Sequence, residues 1–309
     1  MIFLLSLSFS SCETVTAVVG ELAPGLAQGI SQGLQSLGLS SDIADTLARS
    51  GVNIGLVLAR NTFAEITPEG EYYLGRAVAA TLLTRYSLQT NMPVTTAYLN
   101  HIAHALVVNS IRPELFHGYR VAILDSDEIN AFATPGGHIF LTRGLVASAI
   151  SEDTLAAIIA HEIAHIQLAH GFEAIRNSHI NQAFAQAAFD VGSAAAGYDL
   201  SRITETFGIS VDVVVDVMLR GYSREQEFDA DSVGMSLLAL AGYDPFALIE
   251  ALQVLQRTQV GRAGGFNATH PSPADRITHA QTVVGNFDVP DTRPYRLARF
   301  ISVRAAEPL

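Results

Sequence analysis

Two histidines and a glutamate in one apolar helical stretch limit the possible folds of this chain more than any other feature. Glu162 lies between His161 and His165 in the run His-Glu-Ile-Ala-His. On a helix, positions 161 and 165 differ by about 40° around the axis, so both imidazoles project from one face. An apolar interior tolerates such groups only with a partner. The pattern therefore predicts that His161 and His165 hold a zinc ion, with Glu162 as general base toward water.

The helix that carries this motif is expected to cover about residues 152–170. Ser151 stands where an N-cap is required, and the acidic residues that follow it suit the positive end of the helix dipole. His170 lies about 180° around the helix from His161. We therefore expect His170 to point away from the metal and to have a structural or surface role.

A catalytic zinc ion needs a third protein ligand, and an acidic run further along the chain offers two. Glu227 and Asp231 are separated by four positions, and so are Glu225 and Asp229. In either pair, the glutamate could bind the metal while the aspartate orients a ligand histidine. Spacing alone does not choose between the two pairs.

The composition excludes several classes of function. The chain has 309 residues, of which 49% are hydrophobic and 16% are charged, so it can bury a large core. Its formal net charge of −12 repels nucleic acids, and no basic cluster offsets that charge, so no nucleic-acid partner is expected. Cys12 is the only cysteine, which excludes an internal disulfide framework and a cysteine-based zinc site.

The N-terminal residues resemble the end of a bacterial lipoprotein signal peptide. Residues 2–9 form a short apolar run, serines follow, and Cys12 stands where such peptides have their lipidated cysteine. We therefore expect a signal peptide over 1–11 and a lipid anchor on Cys12, which would attach the protein to a membrane on the periplasmic side of the bacterial cell envelope. An ordinary buried start with an inert cysteine is the alternative. No later segment reaches the roughly 18 consecutive apolar residues that a membrane-spanning helix needs.

The remaining chain is predicted to form a tether over 12–65, one domain over 66–285 and a C-terminal tail over 286–309. The tether is rich in Gly, Ser, Ala and Leu, a composition typical of linkers with short amphipathic helices. The domain is predicted to be α+β and mostly helical. Its predicted helices cover about 68–86, 93–110, 152–170, 223–241, 245–258 and 273–284, and its predicted strands cover 121–124 and 138–142.

Several motifs together resemble the HtpX-like and CAAX-prenyl-protease-like zinc peptidases, and most closely their soluble periplasmic lipoprotein members. The matching segments are 72–75, 130–133, 135–137, 161–165, 223–231 and 269–271. The resemblance implies a gluzincin-type metallopeptidase fold with a small sheet whose edge strand flanks the zinc helix. It also implies one Zn²⁺ per chain, with Glu227 as the third ligand and Asp231 as the residue that orients a ligand histidine.

The resemblance implies further roles around the metal. His270 would stabilise the oxyanion of the transition state, or it would bind zinc as a fourth ligand and hold the enzyme inactive. A loop histidine that caps the following helix is the plain alternative for His270. Arg276 would brace the site or pair with a carboxylate. An extended peptide would add to an edge strand, unless these residues form an ordinary hairpin. The strand residues are Asn130, Ala131, Phe132 and Ala133.

These patterns predict a zinc-dependent endopeptidase that cleaves unfolded or misassembled envelope proteins, with protein or peptide substrates as its partners. Residues 173–222 are expected to cover part of the cleft. An assembly factor or chaperone that seldom cuts its clients is the alternative from another class. Glu162 disfavours it, because holding a client needs no general base. A zinc hydrolase that acts on a non-peptide ester is a third possibility.

Overall fold

The computed structural model describes residues 67–171, 221–258, 265–270, 272–283 and 292–308. Several expectations concern residues outside these ranges. They are the signal peptide, the lipidation of Cys12, the tether and most of the cover expected over 173–222. Within the described ranges, no helix combines the length and the apolar character needed to cross a bilayer.

In the described part of the chain, two helices precede the sheet, and each begins at a proline as predicted. α1 covers Pro68–Arg85, and the side chain of Thr67 caps it by accepting a hydrogen bond of 3.0 Å from the main-chain nitrogen of Gly70. α2 covers Pro93–Val107 and ends before the predicted limit near 110. The apolar side of α2 is buried in the main core.

A three-stranded sheet follows these helices in the chain. Its strands are β1 (Arg120–Leu124), β2 (Ala131–Thr134) and β3 (His138–Thr142), in the spatial order β1-β3-β2. β1 runs parallel to β3, whereas β2 and β3 form an antiparallel hairpin through the turn Pro135–Gly137. Gly136 has a φ of 74° in this turn, a conformation that favours glycine. β2 is therefore an edge strand of the sheet that the described residues form. The predicted class of a mostly helical protein with a small sheet is confirmed.

The helix that carries the two histidines is fully buried. α3 (Arg143–Ser148) follows β3, and α4 (Glu152–Gln167) comes next, with every residue of α4 buried. Ser151 and Thr154 cap α4 reciprocally, since each side chain accepts a hydrogen bond from the main-chain nitrogen of the other. α4 ends before the predicted limit near 170. Ala169 adopts a left-handed φ of 54° there and turns the chain away from the helix path.

Among the residues that the structure describes, four helices after α4 contribute to the surroundings of its histidine-bearing face. They are α5 (Arg224–Leu240), α6 (Ala247–Thr258), α7 (Phe266–Thr269) and α8 (Pro273–Val283). α5 packs along α4, and α8 packs on α5 and α6. Gly234 permits a close approach of α5, because a Cβ at this position would lie 3.3 Å from the main-chain nitrogen of His161. α7 lies between the helices predicted over 245–258 and 273–284, where no helix was predicted.

A further helix, α9, covers Arg293–Ala306 and corrects the expectation of a tail over 286–309. Phe300 joins the main core, and Arg296 forms a salt bridge of 2.9 Å with Asp153 in the first turn of α4. Arginine side chains make part of the contacts of α9 with the domain. The folded unit therefore extends well beyond the predicted boundary at 285.

Candidate metal centre

Four buried side chains bring their donor atoms together beside α4. His161 and His165 come from α4, Glu227 comes from α5, and His270 directly follows α7. None of the four residues is more than 2% exposed. One donor atom from each lies within 4.8 Å of the others. The structure thus brings together the three predicted zinc ligands and the histidine whose role remained open.

The separations between the first three donors suit a tetrahedral metal ion. Nε2 of His161 lies 3.0 Å from Nε2 of His165. The carboxylate oxygens of Glu227 approach each of these nitrogens to 3.5 Å. Ligand distances of about 2.0–2.2 Å around a tetrahedral ion place neighbouring donors about 3.3–3.6 Å apart. The two imidazoles and the carboxylate could therefore hold a metal ion with little rearrangement.

His270 supplies a fourth donor to this cluster. Its Nδ1 lies 3.0 Å from Oε1 of Glu227 and 3.4 Å from Nε2 of His161. The ring of Phe266 stacks on the imidazole with centroids 4.3 Å apart. Phe266 therefore helps to position His270. Sequence reasoning missed this contact, and its only signal is the spacing of one helical turn between the two rings.

The structure distinguishes between the two acidic pairs that spacing left open. Glu227 is completely buried and faces the histidines, whereas Glu225 is exposed at the start of α5. Ser223 fixes that start, because its side chain accepts a hydrogen bond of 3.2 Å from the main-chain nitrogen of Gln226. The cap sets the rotation of α5 and turns Glu227 and Asp231 toward α4.

Asp231 and Arg276 hold the side of His161 that faces away from the donor cluster. Oδ1 of Asp231 lies 3.0 Å from Nδ1 of His161 and so orients the imidazole. Arg276, from α8, donates from Nε to the same aspartate at 2.8 Å. Its Nη1 also lies 2.9 Å from Oε2 of Glu227. Arg276 therefore pairs with two carboxylates at once.

Burial and charge act against each other on the ionisable groups of this cluster. Burial opposes the ionisation of Glu227 and Asp231. His270 and Arg276 nevertheless hold the pKa of Glu227 well below its ordinary value, and Arg276 lowers the pKa of Asp231. Burial and Arg276 act to lower the pKa of His161, but hydrogen bonds to the two carboxylates raise it to about 9. A proton therefore competes with a metal ion for His161.

Glu162 differs from the other carboxylates of the site in its contacts. The residue is completely buried, yet neither of its carboxylate oxygens has a hydrogen-bond partner among the described residues. Oε1 lies 3.6 Å from Nε2 of His270, and burial raises the pKa of the carboxyl group. A buried carboxyl without hydrogen bonds is costly, which points to a polar ligand that the site takes up.

His170 lies beside the cluster, which corrects the expectation that it points away from the metal. It is completely buried, and its Nδ1 lies 2.8 Å from Nδ1 of His165. The rotation of 100° per residue does not apply beyond the end of α4 at Gln167, so the helical extrapolation to position 170 is wrong. Tyr222 stacks on the ring of His165 with centroids 4.1 Å apart. Sequence reasoning missed Tyr222, whose only signal is an aromatic residue just before the start of α5.

The edge strand β2 lies against α4, close to the donors. The side chain of Asn130 accepts hydrogen bonds from the main-chain nitrogen of Ala131 at 2.9 Å and from Oγ1 of Thr269 at 3.0 Å, so it ties the strand to the residue before His270. The main chain of Asn130 bonds to β3. In an antiparallel pair, the main-chain groups of alternate residues point to the same neighbouring strand, so the main chain of Phe132 also bonds to β3. The main chain of Ala133 points the other way, to the edge where no described strand pairs with β2.

Comparison with known proteins places these residues in a family context. The sequence model described as "Peptidase family M48" matches residues 93–284. The beta-barrel assembly-enhancing protease of Escherichia coli K12 is 27% identical over 271 residues, which cover 85% of this chain and 49% of that protein. The mitochondrial metalloendopeptidase OMA1 of Schizosaccharomyces pombe is 32% identical over 187 residues, which cover 59% of this chain and 51% of OMA1.

A smaller relative matches over most of its own length. The metalloprotease LoiP of Escherichia coli K12 is 27% identical over 197 residues, which cover 62% of this chain and 73% of LoiP. The chain spans about half the length of the beta-barrel assembly-enhancing proteases that it matches.

Proposed function

Because this chain belongs to peptidase family M48 and carries a metalloendopeptidase domain, we propose that it is a zinc-dependent enzyme that cleaves unfolded or misassembled proteins of the bacterial cell envelope. The observation that carries this proposal is the position of Glu162. A buried carboxylate without hydrogen bonds adjoins four converging donors, which is the arrangement that a metal ion and a water molecule would complete.

The proposed metal is one Zn²⁺ ion on His161, His165 and Glu227. Two imidazoles and one carboxylate are a donor set that catalytic zinc sites use. When bound, zinc supplies Lewis acidity toward the scissile carbonyl and toward water. Asp231 keeps the imidazole of His161 oriented, and Arg276 neutralises the charge that the buried carboxylates concentrate. These two residues therefore support the site without contact with the substrate.

Glu162 is proposed to move the proton. One of its carboxylate oxygens takes a proton from the attacking water and passes it to the nitrogen of the leaving amine. Both oxygens are available for this work, since neither has a hydrogen-bond partner among the described residues. The raised pKa of Glu162 favours this exchange because it brings the carboxyl closer to the working pH.

His270 is proposed to restrain the enzyme in the arrangement described. Its Nδ1 lies among the donors, where it would fill the position that a substrate or a water molecule needs. Its Nε2 lies 3.6 Å from Glu162, so the opposite edge of the ring faces the general base. After His270 leaves the donor cluster, it would be placed to stabilise the oxyanion. The inhibitory role and the oxyanion role implied by the resemblance would then follow one another in time.

The proposed substrate is an extended polypeptide. The outward main chain of Ala133 offers hydrogen bonds to an added strand, which recognises backbone rather than sequence. A small recess continues from this edge and is bounded in part by Ala133, Pro135, His165 and Tyr222. His165, which is a proposed zinc ligand, thus forms one wall of the recess. A chain that adds to β2 would pass beside this recess and the proposed metal, and strand addition suits flexible or unfolded substrates.

The proposed location is the periplasmic side of the cell envelope, with a lipid on Cys12 as the membrane anchor. One bacterial relative supports this location through its name, which refers to β-barrel assembly. The apolar run over 2–9 before Cys12 is the supporting sequence feature.

Cleavage of an unfolded protein tests the proposed activity. Purified protein should cleave unfolded casein, a chelator should abolish cleavage, and added zinc should restore it. Glu162→Gln should remove cleavage while it leaves bound zinc unchanged. A holding factor would instead keep its function in Glu162→Gln, and a wild-type protein that retains zinc but leaves casein intact would contradict the proposal.

A further inference from the structure

The imidazole of His165 is held on three sides. Its Nε2 faces the donor cluster, 3.0 Å from Nε2 of His161. The ring of Tyr222 covers one face, with the two planes 20° apart. Nδ1, the nitrogen that faces away from the cluster, lies 2.8 Å from Nδ1 of His170. His165 and His170 are buried, so water does not compete freely for this contact.

The two Nδ1 atoms are 2.8 Å apart, which is a hydrogen-bond distance, so one nitrogen carries the hydrogen and the other accepts it. A neutral imidazole that binds a metal through Nε2 must keep its hydrogen on Nδ1. Nδ1–H of His165 is then the donor, and Nδ1 of His170 is the acceptor. The opposite arrangement, with the hydrogen on Nδ1 of His170, would move the hydrogen of His165 to Nε2 and block metal binding there.

We propose that His170 is a positioning residue, which accepts a hydrogen bond from Nδ1–H of His165 and so fixes Nε2 of His165 as the metal-binding atom. This inference rests on the proposed zinc site and assigns a role to a residue outside the motif of α4. The hydrogen of neutral His170 is then on Nε2. The two ligand histidines are oriented differently, since Asp231 holds His161 with a charged carboxylate and His170 holds His165 with a neutral ring.

The backbone supports this assignment. α4 ends at Gln167, and the left-handed φ of 54° at Ala169 turns the chain so that position 170 returns beneath position 165. A residue other than glycine in this region is under strain. The turn therefore has to be maintained by the contacts that it makes, and the contact between His170 and His165 is one of them.

Three variants of the full chain separate a positioning role from a general structural role. His170→Leu removes the acceptor at similar volume. His170→Asn keeps an amide oxygen near the position of Nδ1. His138→Leu is the matched control, because it removes a half-buried histidine on β3 whose Nδ1 lies 3.3 Å from Oγ1 of Thr134, away from the donors. Far-UV circular dichroism and thermal unfolding of each metal-free variant would report on its folding.

Zinc affinity, measured by competition with a chromophoric chelator, is the first readout. Loss of a residue that orients a metal ligand lowers metal affinity by about 10–100-fold, and we expect this loss in His170→Leu. His170→Asn should recover most of the affinity, and His138→Leu should match the wild type. Wild-type affinity in a folded His170→Leu protein would overturn the inference. A wild type that retains no zinc would overturn the proposed metal site, and this inference with it.

The tautomers give a second readout that does not depend on any variant. In ¹⁵N-histidine spectra of the zinc-loaded wild type, we expect the hydrogen on Nδ1 of His165 and on Nε2 of His170. A hydrogen on Nδ1 of His170 would contradict the inference even where zinc is bound. A purely structural His170 would show no preference for one tautomer in these spectra.

Discussion

Arg276 donates two hydrogen bonds to Asp231, from Nε at 2.8 Å and from Nη2 at 2.6 Å, and neither residue is more than 1% exposed. This fork of bonds links α8 to α5 directly behind His161. Two bonds from one planar guanidinium fix both the distance and the rotation of the carboxylate. The geometry of the candidate metal site therefore depends on α8, although α8 supplies none of the proposed metal ligands.

Removal of Arg276 should destabilise the metal-free protein strongly. Arg276→Leu leaves Asp231 and Glu227 buried without their cation, and breaking a buried ion pair from one side costs about 3–5 kcal/mol. Arg224→Leu is the matched control, since Arg224 is 64% exposed and pairs with Asp275 at 3.3 Å on the surface. We expect a change below about 1 kcal/mol for this control. Urea unfolding measures the free energy of unfolding of both variants. An equally small loss in both would show that the buried ion pair of Arg276 contributes no more than the surface pair of Arg224.

The third metal ligand can be identified by a pair of matched variants. Glu227→Gln should lose stoichiometric zinc, because Glu227 is buried and faces both histidines that are proposed as ligands. Glu225→Gln makes the same chemical change two positions earlier on an exposed side chain and should bind zinc normally. Metal analysis of the dialysed proteins provides the measurement. Retention of zinc in Glu227→Gln with loss in Glu225→Gln would reverse the ligand assignment.

Local signals in the sequence were sufficient to place the helix that carries His161 and His165. Ser151 marks the start of α4, and the four-residue spacing of His161 and His165 places both on one face. The choice of Glu227 over Glu225 was not available from spacing, because it depends on how α5 rotates against α4. That rotation follows from the cap at Ser223 and from close packing at Gly234, which only the folded chain reveals.

The sequence failed where tertiary contacts override local pattern. Helical periodicity predicts that His170 points away from the metal, yet the left-handed turn at Ala169 brings it to His165. Alanine is not a usual residue for that turn, so no local signal marks the end of the helix. The parallel pairing of β1 with β3 could not be predicted from the sequence either, because strand order depends on how distant segments pack.

The contribution of α9 can be measured at one buried residue. Phe300 is 8% exposed and belongs to the main core, so Phe300→Ala should lower the free energy of unfolding by about 3 kcal/mol. Leu297→Ala lies on the same helix at 46% exposure and should change it by no more than about 0.5 kcal/mol. Chemical unfolding of both variants makes the comparison. Equal and small effects would show that 286–309 behaves as the predicted tail.

A carboxylate beyond the end of α9 should make stability depend on pH. Glu307 accepts hydrogen bonds from the main-chain nitrogens of Val94 at 2.9 Å and Thr95 at 2.8 Å, at the start of α2, where Met92 provides no side-chain cap. Desolvation acts to raise the pKa of Glu307, but these two bonds outweigh it and lower the pKa below its ordinary value. The ionised form is therefore favoured by folding.

The sign of this dependence follows from the lowered pKa. Stabilisation by Glu307 is fully present above the unfolded pKa of about 4.3 and is lost as the pH falls through the folded value. The unfolding temperature of the wild type should therefore exceed that of Glu307→Gln at neutral pH, and the difference should shrink below about pH 4. Glu114→Gln, an exposed change of the same charge, serves as the control. A difference that grows toward acid pH would mean that folding favours the protonated carboxyl, against the two main-chain bonds.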